Sequence, residues 1–250
     1  MPNPPSHHVF PTAEEASAAV AQEIANLISE RAAAGKTAVL GLATGSTPLR
    51  LYAELVAHHR NGLTFENVIT FNLDEYLGLP REHKESYWHF MHFTLFDHID
   101  IPAQNVHIPD GTKSEEELED YCAEYEKAIQ DAGGIDLQVL GIGRNGHIGF
   151  NEPGASDEVR THVTTLNEVT IADAARAFDG AENVPRRAIT MGVRTILDSR
   201  QVALLAFGQS KAEIVAKALS SKVTAEIPAT YLHLHPDASF FLDREAAAKL

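Results

Sequence analysis

The sequence predicts an α/β protein with a mainly parallel sheet, and three features of the chain lead to this prediction. Short apolar runs without polar alternation recur, as expected of strands that are buried on both faces. Segments with helical spacing alternate with these runs, which is typical of a parallel sheet covered by helices. Loops rich in glycine and small polar residues follow several runs, where ligands bind in such sheets. We therefore expect the functional groups just beyond the strand ends.

The elements of the N-terminal half are predicted from caps and periodicity. Thr12 is placed to cap a helix, with Glu15 at the capping-box position, and Gly35 ends this helix. The first eight residues are interpreted as a loose lead-in. Ser114 is expected to cap a later helix that runs to Asp131. The other predicted elements are strands over residues 37–43 and 68–74 and helices over residues 13–34, 48–59 and 86–99.

The C-terminal half continues the alternation after an irregular stretch. His233 and His235 would share one face of a strand, which suits half a zinc site. No Cys or carboxylate partner is evident, so no metal site is assigned. The predicted elements here are strands over residues 136–142, 161–165, 201–208 and 239–243 and helices over residues 172–178 and 209–220.

Composition narrows the class of function. The chain has 250 residues, 44% hydrophobic and 22% charged, which suits a globular protein of one large domain or two small ones. The net charge of -15 argues against nucleic-acid and anionic-membrane partners. Cys122 is the only cysteine, so no intrachain disulfide is expected, and neither a secretory signal nor a long apolar run is evident. These features predict a cytoplasmic protein.

Two places near predicted strand ends suit a bound anion. Small residues follow the first buried strand and lead into a helix that starts near Pro48: Thr44, Gly45, Ser46 and Thr47. Backbone N–H groups at a helix N-terminus, with hydroxyl donors beside them, suit a phosphate, although an ordinary capped turn has the same composition. Lys211 follows the fourth buried strand and is either a cation for an anion or a solvent-facing side chain.

Carboxylates and a histidine follow the other two buried strands. Asp74, next to Glu75, is either a general base or a helix cap. The stretch GIGRNGHIGFNEPG, residues 141–154, contains the dinucleotide-binding pattern G-x-G-x-x-G, but its later glycines and proline preclude the long helix that such a loop must open. A nicotinamide-dependent enzyme is therefore not expected. His147 and Glu152 suit an acid/base pair if the loop folds back, although a lone histidine is more often structural.

The chain resembles the glucosamine-6-phosphate deaminase family in motifs spread from about residue 37 to about residue 245. In the family's order, these motifs are GLATGSTPLRLYAEL, FNLDEYLGLP, SYWHFM, GIGRNGHIGFNEPG, VPRRAITMGVRTILDS and FGQSKA. GHIGFNEPG is the most specific, whereas a TGSTP-type loop also occurs in the related 6-phosphogluconolactonases. The resemblance implies a modified Rossmann-type three-layer fold with helices on both faces of the sheet. It also implies a single domain over residues 1–250, a mobile lid around residues 162–185, and no cofactor or metal.

The implied reaction converts glucosamine 6-phosphate and water to fructose 6-phosphate and ammonia, in the catabolism of amino sugars such as N-acetylglucosamine. The partner is thus a small amino sugar phosphate. The resemblance assigns ring opening to His147, with Glu152 in its hydrogen-bond network, and proton transfer between C2 and C1 to Asp74. It assigns the phosphate to a set of donors: Thr44, Gly45, Ser46, Thr47, Arg176 and Lys211.

The chain departs from the family pattern in two respects. Many members carry aspartate where this chain has Asn145, so Asn145 is expected to hold the ring of His147 by a hydrogen bond without supplying a charge. Allosterically activated hexameric members carry Arg and Lys where this chain has His162 and Thr164. Activation by N-acetylglucosamine 6-phosphate is therefore predicted to be weak or absent. The oligomeric state stays open, a homo-oligomer included.

Three other functions remain as alternatives to this one. A galactosamine-6-phosphate deaminase would differ only in its choice of C4 epimer, which these motifs do not encode. A 6-phosphogluconolactonase releases no ammonia, and the combination of LDEY with FNEPG argues against it. A catalytically silent sugar-phosphate sensor would need no proton shuttle, so Asp74, His147 and Glu152 argue against that function.

Overall fold

The computed structural model describes residues 5–220 and 222–250, in which strands and helices alternate. The strands are β1 (Ser6–Phe10), β2 (Ala38–Leu42), β3 (Val68–Asn72), β4 (Asp74–Tyr76), β5 (Val106–His107), β6 (Leu137–Leu140), β7 (His162–Thr165), β8 (Arg187–Thr190), β9 (Gln201–Ala206) and β10 (Ala238–Asp243). The helices are α1 (Ala13–Ala33), α2 (Leu49–Arg60), α3 (Tyr87–Thr94), α4 (Leu118–Asp131), α5 (Glu168–Ala174), α6 (Val193–Leu197) and α7 (Ala212–Ser220).

Seven strands form one parallel sheet in the order β1-β10-β9-β6-β2-β3-β5. All residues of β2 and β6 are buried, because helices cover the sheet around them. The predicted α/β class with a mainly parallel sheet is therefore confirmed. Within the described residues, no helix combines the length and the apolar character that crossing a membrane requires.

One predicted cap, Thr12, and several predicted helices are confirmed. The hydroxyl of Thr12 accepts the backbone N–H of Glu15 at 3.2 Å and caps α1. Ser86 caps α3 in the same way, through the backbone N–H of His89 at 3.0 Å. Two predicted helices are partly replaced by short 3-10 turns: Phe96–His98 follows α3, and Gln209–Lys211 precedes α7.

The strand predicted over residues 68–74 is wrong as one element, because the chain changes its pairing partner at Leu73. The backbone N–H of Leu73 donates to the carbonyl of Leu42 at 2.9 Å, and its own carbonyl accepts from Met191 at 2.7 Å. The chain thereby leaves the parallel sheet and enters a three-stranded antiparallel sheet of order β4-β8-β7. The prediction missed β8, the central strand of this second sheet.

The lead-in interpretation of the first eight residues is wrong for the part that the structure describes. β1 pairs in parallel with β10, and Ser6 is registered with Ser239. Residues 1–4 lie outside the described part. β1 is an edge strand whose first four residues are exposed, so it carries none of the apolar pattern by which the inner strands were predicted.

Two helix starts also differ from the prediction. The residue that caps α4 is Glu117 rather than Ser114, whose backbone N–H instead donates to the Glu117 carboxylate at 2.9 Å. The helix predicted over residues 172–178 begins earlier, as α5. Its cap is Asn167, whose side-chain oxygen accepts the backbone N–H of Val169 at 2.9 Å. Asn167 is a favourable cap that the prediction overlooked.

A second apolar cluster supports the segment that carries α5. It lies beside the antiparallel sheet and joins β4 and β8 to the chain around α5. Its buried members are Tyr76, Phe150, Leu166, Ile171, Phe178, Val184 and Ala188. This cluster places α5 against the loop that follows β6, and so brings residues that are far apart in sequence to one site.

Candidate active site

The loops after β2, β3, β6 and β9 open into one cleft of about 260 Å³. These four strands are neighbours in the parallel sheet, so their carboxyl ends meet at one edge. The cleft is lined by side chains that the sequence singled out, namely Thr44, Ser46, Thr47, Asp74, His147 and Lys211, together with Gly45. It is also lined by residues that the sequence analysis did not assign: Tyr76, Tyr87, Thr170 and Asp173.

One end of the cleft offers donors for an anion. The loop of residues 44–47 enters α2, and no side chain in the described part of the protein caps that helix. Gly45 has φ of +92°, a left-handed conformation that favours glycine. The ammonium group of Lys211 also lies at the cleft and donates to the carbonyl of Ile142 at 2.7 Å. Burial lowers the pKa of Lys211, and the nearby negative charge of Asp173 partly offsets this lowering.

Asp74 lies at the floor of the cleft and is 5% exposed. Burial, and then the charge of Glu75, raise the pKa of Asp74 well above its usual range, and no hydrogen bond from the described residues opposes this. Gly149 lies beside this carboxylate, and a Cβ atom there would be in ordinary contact with Oδ2 of Asp74, at 3.6 Å. The carboxylate is thus buried, lines the cleft, and has no hydrogen-bond donor among the described residues.

Glu75 has a different environment although it is the next residue. Its Oε1 accepts the backbone N–H groups of Tyr76 and Tyr87 at 2.9 and 3.0 Å, and its Oε2 accepts that of Trp88 at 3.0 Å. Burial raises the pKa of Glu75 to about 7 even though these bonds act in the opposite direction. Glu75 therefore holds the first turn of α3, which places Tyr87 at the cleft, and Asp74 alone faces the cleft.

His147 forms a pair with Glu152 in the folded-back loop after β6. The Nδ1 atom of His147 lies 3.4 Å from Oε2 of Glu152 and 3.4 Å from the hydroxyl of Thr170. Burial alone would raise the pKa of Glu152, but hydrogen bonds from His147 and Thr170 outweigh it and lower the pKa to about 2. These hydrogen bonds therefore keep Glu152 charged, and the other ring nitrogen of His147, Nε2, has no hydrogen-bond partner among the described residues.

The expected contact of Asn145 with the imidazole ring is wrong. The side-chain amide of Asn145 donates instead to Oε2 of Glu152 at 2.8 Å. Its oxygen accepts the backbone N–H of His147 at 3.3 Å. Asn145 therefore acts on the carboxylate and on the turn of the loop, and not on the ring itself.

The glycines of GIGRNG have a structural reason that is unrelated to dinucleotides. A Cβ atom on Gly143 would lie 2.2 Å from the ring of His147, so the imidazole packs directly on the glycine backbone. Gly146 has φ of +87° and lies close to Ile227. The chain after Gly146 forms a turn closed by a bridge between Ile148 and Asn151, rather than a helix. The pattern thus serves to accommodate a histidine.

Thr170 and Asp173 were missed because their segment carries no motif. Both lie on α5, and their i, i+3 spacing places them on the same helix face. The side chain of Asp173 forms an ion pair with Arg144 of the glycine-rich loop, with Nε and Oδ2 2.9 Å apart. The overlooked cap at Asn167 was the one sequence signal that could have located α5 and both residues.

Other singled-out residues lie outside the cleft. Arg176 follows α5 and is exposed, and it is absent from the cleft lining. His233 and His235 do not lie on a strand, and their Nε2 atoms bond to the carbonyls of Ala218 and Ser199 at 2.7 and 2.8 Å. Throughout residues 5–220 and 222–250, no group of three or more Cys, His, Asp or Glu side chains could hold a metal ion.

The parallel sheet, and a cleft that combines donors for an anion with a buried acid/base set, define a Rossmann-like α/β protein whose site suits a small phosphorylated molecule. A family model described as Glucosamine-6-phosphate isomerases/6-phosphogluconolactonase matches residues 11–240, and the chain belongs to this family. The match covers the strands and loops that build the cleft.

Similar proteins span almost the whole chain. A glucosamine-6-phosphate deaminase of Thermoanaerobacter pseudethanolicus is 50% identical over 236 residues, which are 94% of this chain and 91% of that protein. One of Rhodopirellula baltica is 49% identical over 243 residues, 97% of this chain and 94% of that protein. A solved structure of a monomeric glucosamine-6-phosphate deaminase is 45% identical, with a TM-score of 0.94 over 98% of this chain and all of that one.

Lactonases share the fold at lower identity. The 6-phosphogluconolactonase of Trypanosoma brucei is 24% identical, with a TM-score of 0.81 over 98% of each chain. Such a likeness shows the fold alone. Together with the deaminase structure, it confirms the modified Rossmann-type fold that the motifs implied.

Proposed function

We propose that this protein is a glucosamine-6-phosphate deaminase, which converts glucosamine 6-phosphate and water to fructose 6-phosphate and ammonia. One observation carries the proposal. One cleft brings together the buried carboxylate of Asp74, which has no hydrogen-bond donor in residues 5–220 and 222–250, the pair of His147 and Glu152, and the donors of residues 44–47. The relatives named glucosamine-6-phosphate deaminase support the same activity.

The phosphate is bound at the end of the cleft where donors meet. The loop of residues 44–47 supplies backbone N–H groups and hydroxyls at the uncapped start of α2, whose dipole favours an anion. Lys211 supplies the positive charge, and its bond to a neutral carbonyl is exchanged for a charge-assisted bond to phosphate. This orientation sends the sugar chain toward Asp74 and His147.

Ring opening is carried out by His147. With Nδ1 held by Glu152, the free Nε2 accepts the proton of the anomeric hydroxyl and returns it to the ring oxygen as the C1–O bond of the ring breaks. The charged Glu152 stabilises the imidazolium that forms between these steps, and Asn145 fixes the orientation of that carboxylate. The product of this step is the open-chain amino aldehyde.

Isomerisation and deamination then use Asp74. Its carboxylate removes the proton from C2 to give an enolamine and returns a proton to C1, which yields a ketimine at C2. Water adds to the ketimine and ammonia leaves, so that fructose 6-phosphate is the other product. A carboxylate whose pKa is raised by burial is a stronger base for such a carbon acid. Because water is consumed, the reaction is formally hydrolytic.

The same proposal includes the domain organisation of the chain and a lid over the cleft. The whole chain acts as one domain, and the segment of residues 162–185, which contains α5, acts as a lid. Its closure brings Arg176 to the phosphate, where a guanidinium can form two parallel hydrogen bonds.

The substrate comes from the catabolism of N-acetylglucosamine in the cytoplasm. A net charge of -15 disfavours nucleic acid and membranes as partners, and assembly into a homo-oligomer is not required for this site.

The test is ammonia release by the purified protein, without added nucleotide or metal, from glucosamine 6-phosphate and in parallel from galactosamine 6-phosphate. Ammonia and fructose 6-phosphate in equal amounts from the first sugar support the proposal. The control is Asp74→Asn, which is expected to lose about 10²-fold or more in turnover while it binds the substrate as wild type does. Absence of ammonia from both sugars would refute the proposal and favour a lactonase or a sensor.

A further inference from the structure

α5 and its cap residue each supply one group to a carboxylate that belongs to a different segment of the chain. The hydroxyl of Thr170 donates to Oε1 of Glu152 at 2.5 Å, and the backbone N–H of Asn167 donates to the same oxygen at 3.1 Å. The other oxygen, Oε2, accepts from Asn145 at 2.8 Å and faces His147. The orientation of Glu152 is therefore set from two sides, by its own loop and by α5.

The hydroxyl of Thr170 also faces the ring of His147. Because its O–H is donated to Glu152, the lone pairs of its oxygen are free to face Nδ1 of His147, 3.4 Å away. The second neighbour of Nδ1 is Oε2 of Glu152, which is an acceptor as well. Two acceptors around Nδ1 favour a hydrogen on that atom, so in the neutral ring Nε2 has the lone pair.

We propose that Thr170 is a positioning residue for ring opening. Its hydroxyl holds Glu152 and selects the Nδ1–H tautomer of His147, so that Nε2 meets the anomeric hydroxyl as a base. This inference rests on the proposed function and deepens it. Thr170 is 6% exposed, so water does not readily take the place of its hydroxyl. The ring-opening pair is consequently complete only when α5 is docked on the loop.

The ion pair of Asp173 with Arg144 contributes less to this docking. The two side chains are 40% and 53% exposed, and surface pairs of this kind contribute little free energy. Ile171, which is 1% exposed, anchors the same helix in the second apolar cluster. The specific link between α5 and the chemistry is therefore the Thr170 hydroxyl, one turn before Asp173.

The test compares Thr170→Val, which removes the hydroxyl at nearly constant volume, with Thr170→Ser, which keeps it. We expect kcat to fall about 10- to 100-fold in the valine variant with little change in KM, and the serine variant to recover most of kcat. Without the O–H donor the pKa of Glu152 rises, so the acid limb of the pH–rate profile moves to higher pH. The affinity for an open-chain alditol analogue of the substrate is expected to stay unchanged, because its binding needs no ring opening.

The matched control is Thr195→Val. The hydroxyl of Thr195 donates to Oε1 of Glu126 at 2.6 Å, and Thr195 is 3% exposed, so a similar buried bond is lost between two residues that do not line the cleft. This variant is expected to lose stability as Thr170→Val does, while it keeps its kcat and pH–rate profile. A valine variant at Thr170 with wild-type kcat and an unmoved profile would overturn the inference.

A second measurement is independent of turnover. Nitrogen-15 NMR of the imidazole of His147, assigned with a His147→Gln variant, is expected to show the Nδ1–H tautomer in wild type and a mixture in Thr170→Val. The Nε2–H tautomer in wild type would overturn the inference, even if the valine variant did not fold. If wild type released no ammonia, the proposed function would fail, and the tautomer result would still decide the role of Thr170.

Discussion

Gly143→Ala tests whether the glycine-rich loop exists to seat His147. A Cβ atom on Gly143 would lie 2.2 Å from Cε1 and 2.4 Å from each nitrogen of the imidazole. The ring must retreat by about 1.2 Å to reach an ordinary contact distance of about 3.4 Å. The backbone of Gly143 does not have a positive φ, so alanine itself is compatible with its conformation. The effect of this substitution is therefore steric and directed at one side chain.

A retreat of this size displaces Nδ1 relative to Glu152 and Nε2 relative to the substrate. A misplacement of about 1 Å at a catalytic group can cost about 10²-fold in rate, which corresponds to about 2.7 kcal/mol of transition-state stabilisation. We therefore expect kcat/KM for glucosamine 6-phosphate to fall about 100-fold, measured as initial rates of ammonia release. The melting temperature serves as the control that the fold persists.

A double-mutant cycle shows whether the loss acts through His147. In a His147→Ala background the ring is gone, so adding Gly143→Ala is expected to lower kcat/KM by less than about 3-fold. An equal loss in both backgrounds would mean that Gly143 acts elsewhere, for example on the backbone of the loop. Near wild-type activity of Gly143→Ala would refute the argument that the imidazole must pack on this glycine.

Three further predictions concern charge and regulation. Asn145→Asp places a second carboxylate next to Oε2 of Glu152, and two like charges at that distance favour a bound proton. The acid limb of the pH–rate profile is therefore expected to move to higher pH, and a profile identical to that of wild type would contradict this. Rates with glucosamine 6-phosphate are expected to be hyperbolic and unaffected by N-acetylglucosamine 6-phosphate, because His162 and Thr164 stand where activated members carry Arg and Lys. A sigmoidal curve straightened by that compound would contradict this. Burial raises the pKa of Glu75 to about 7, so its contribution to stability is present below its unfolded pKa and is lost as pH rises through about 7. Between about pH 5 and about pH 8, the free energy of unfolding of wild type, measured by denaturant titration, is expected to fall by up to about 3 kcal/mol relative to that of Glu75→Gln. An equal pH dependence of the two unfolding free energies would contradict this.

The sequence by itself determined the fold class and most of the residues that line the cleft. Strands such as β2 are buried on both faces because helices cover the sheet, and a strand of this kind appears in the sequence as a run of consecutive apolar residues. Local chemistry also places the Thr12 cap, and it identifies Asp74 and His147 as polar residues just beyond buried strands. Each of these inferences depends on residues that are adjacent in the chain.

Only the tertiary structure decided which contacts each of these residues makes and therefore which role it has. The break at Leu73 depends on a bond to Met191, and the different environments of Asp74 and Glu75 depend on the packing of α3. The link from Thr170 to Glu152 joins residues 18 positions apart that no local pattern relates. Hydrogen-bond partners brought together by packing leave no periodicity in the sequence, and the roles of such residues therefore appear only once the chain is folded.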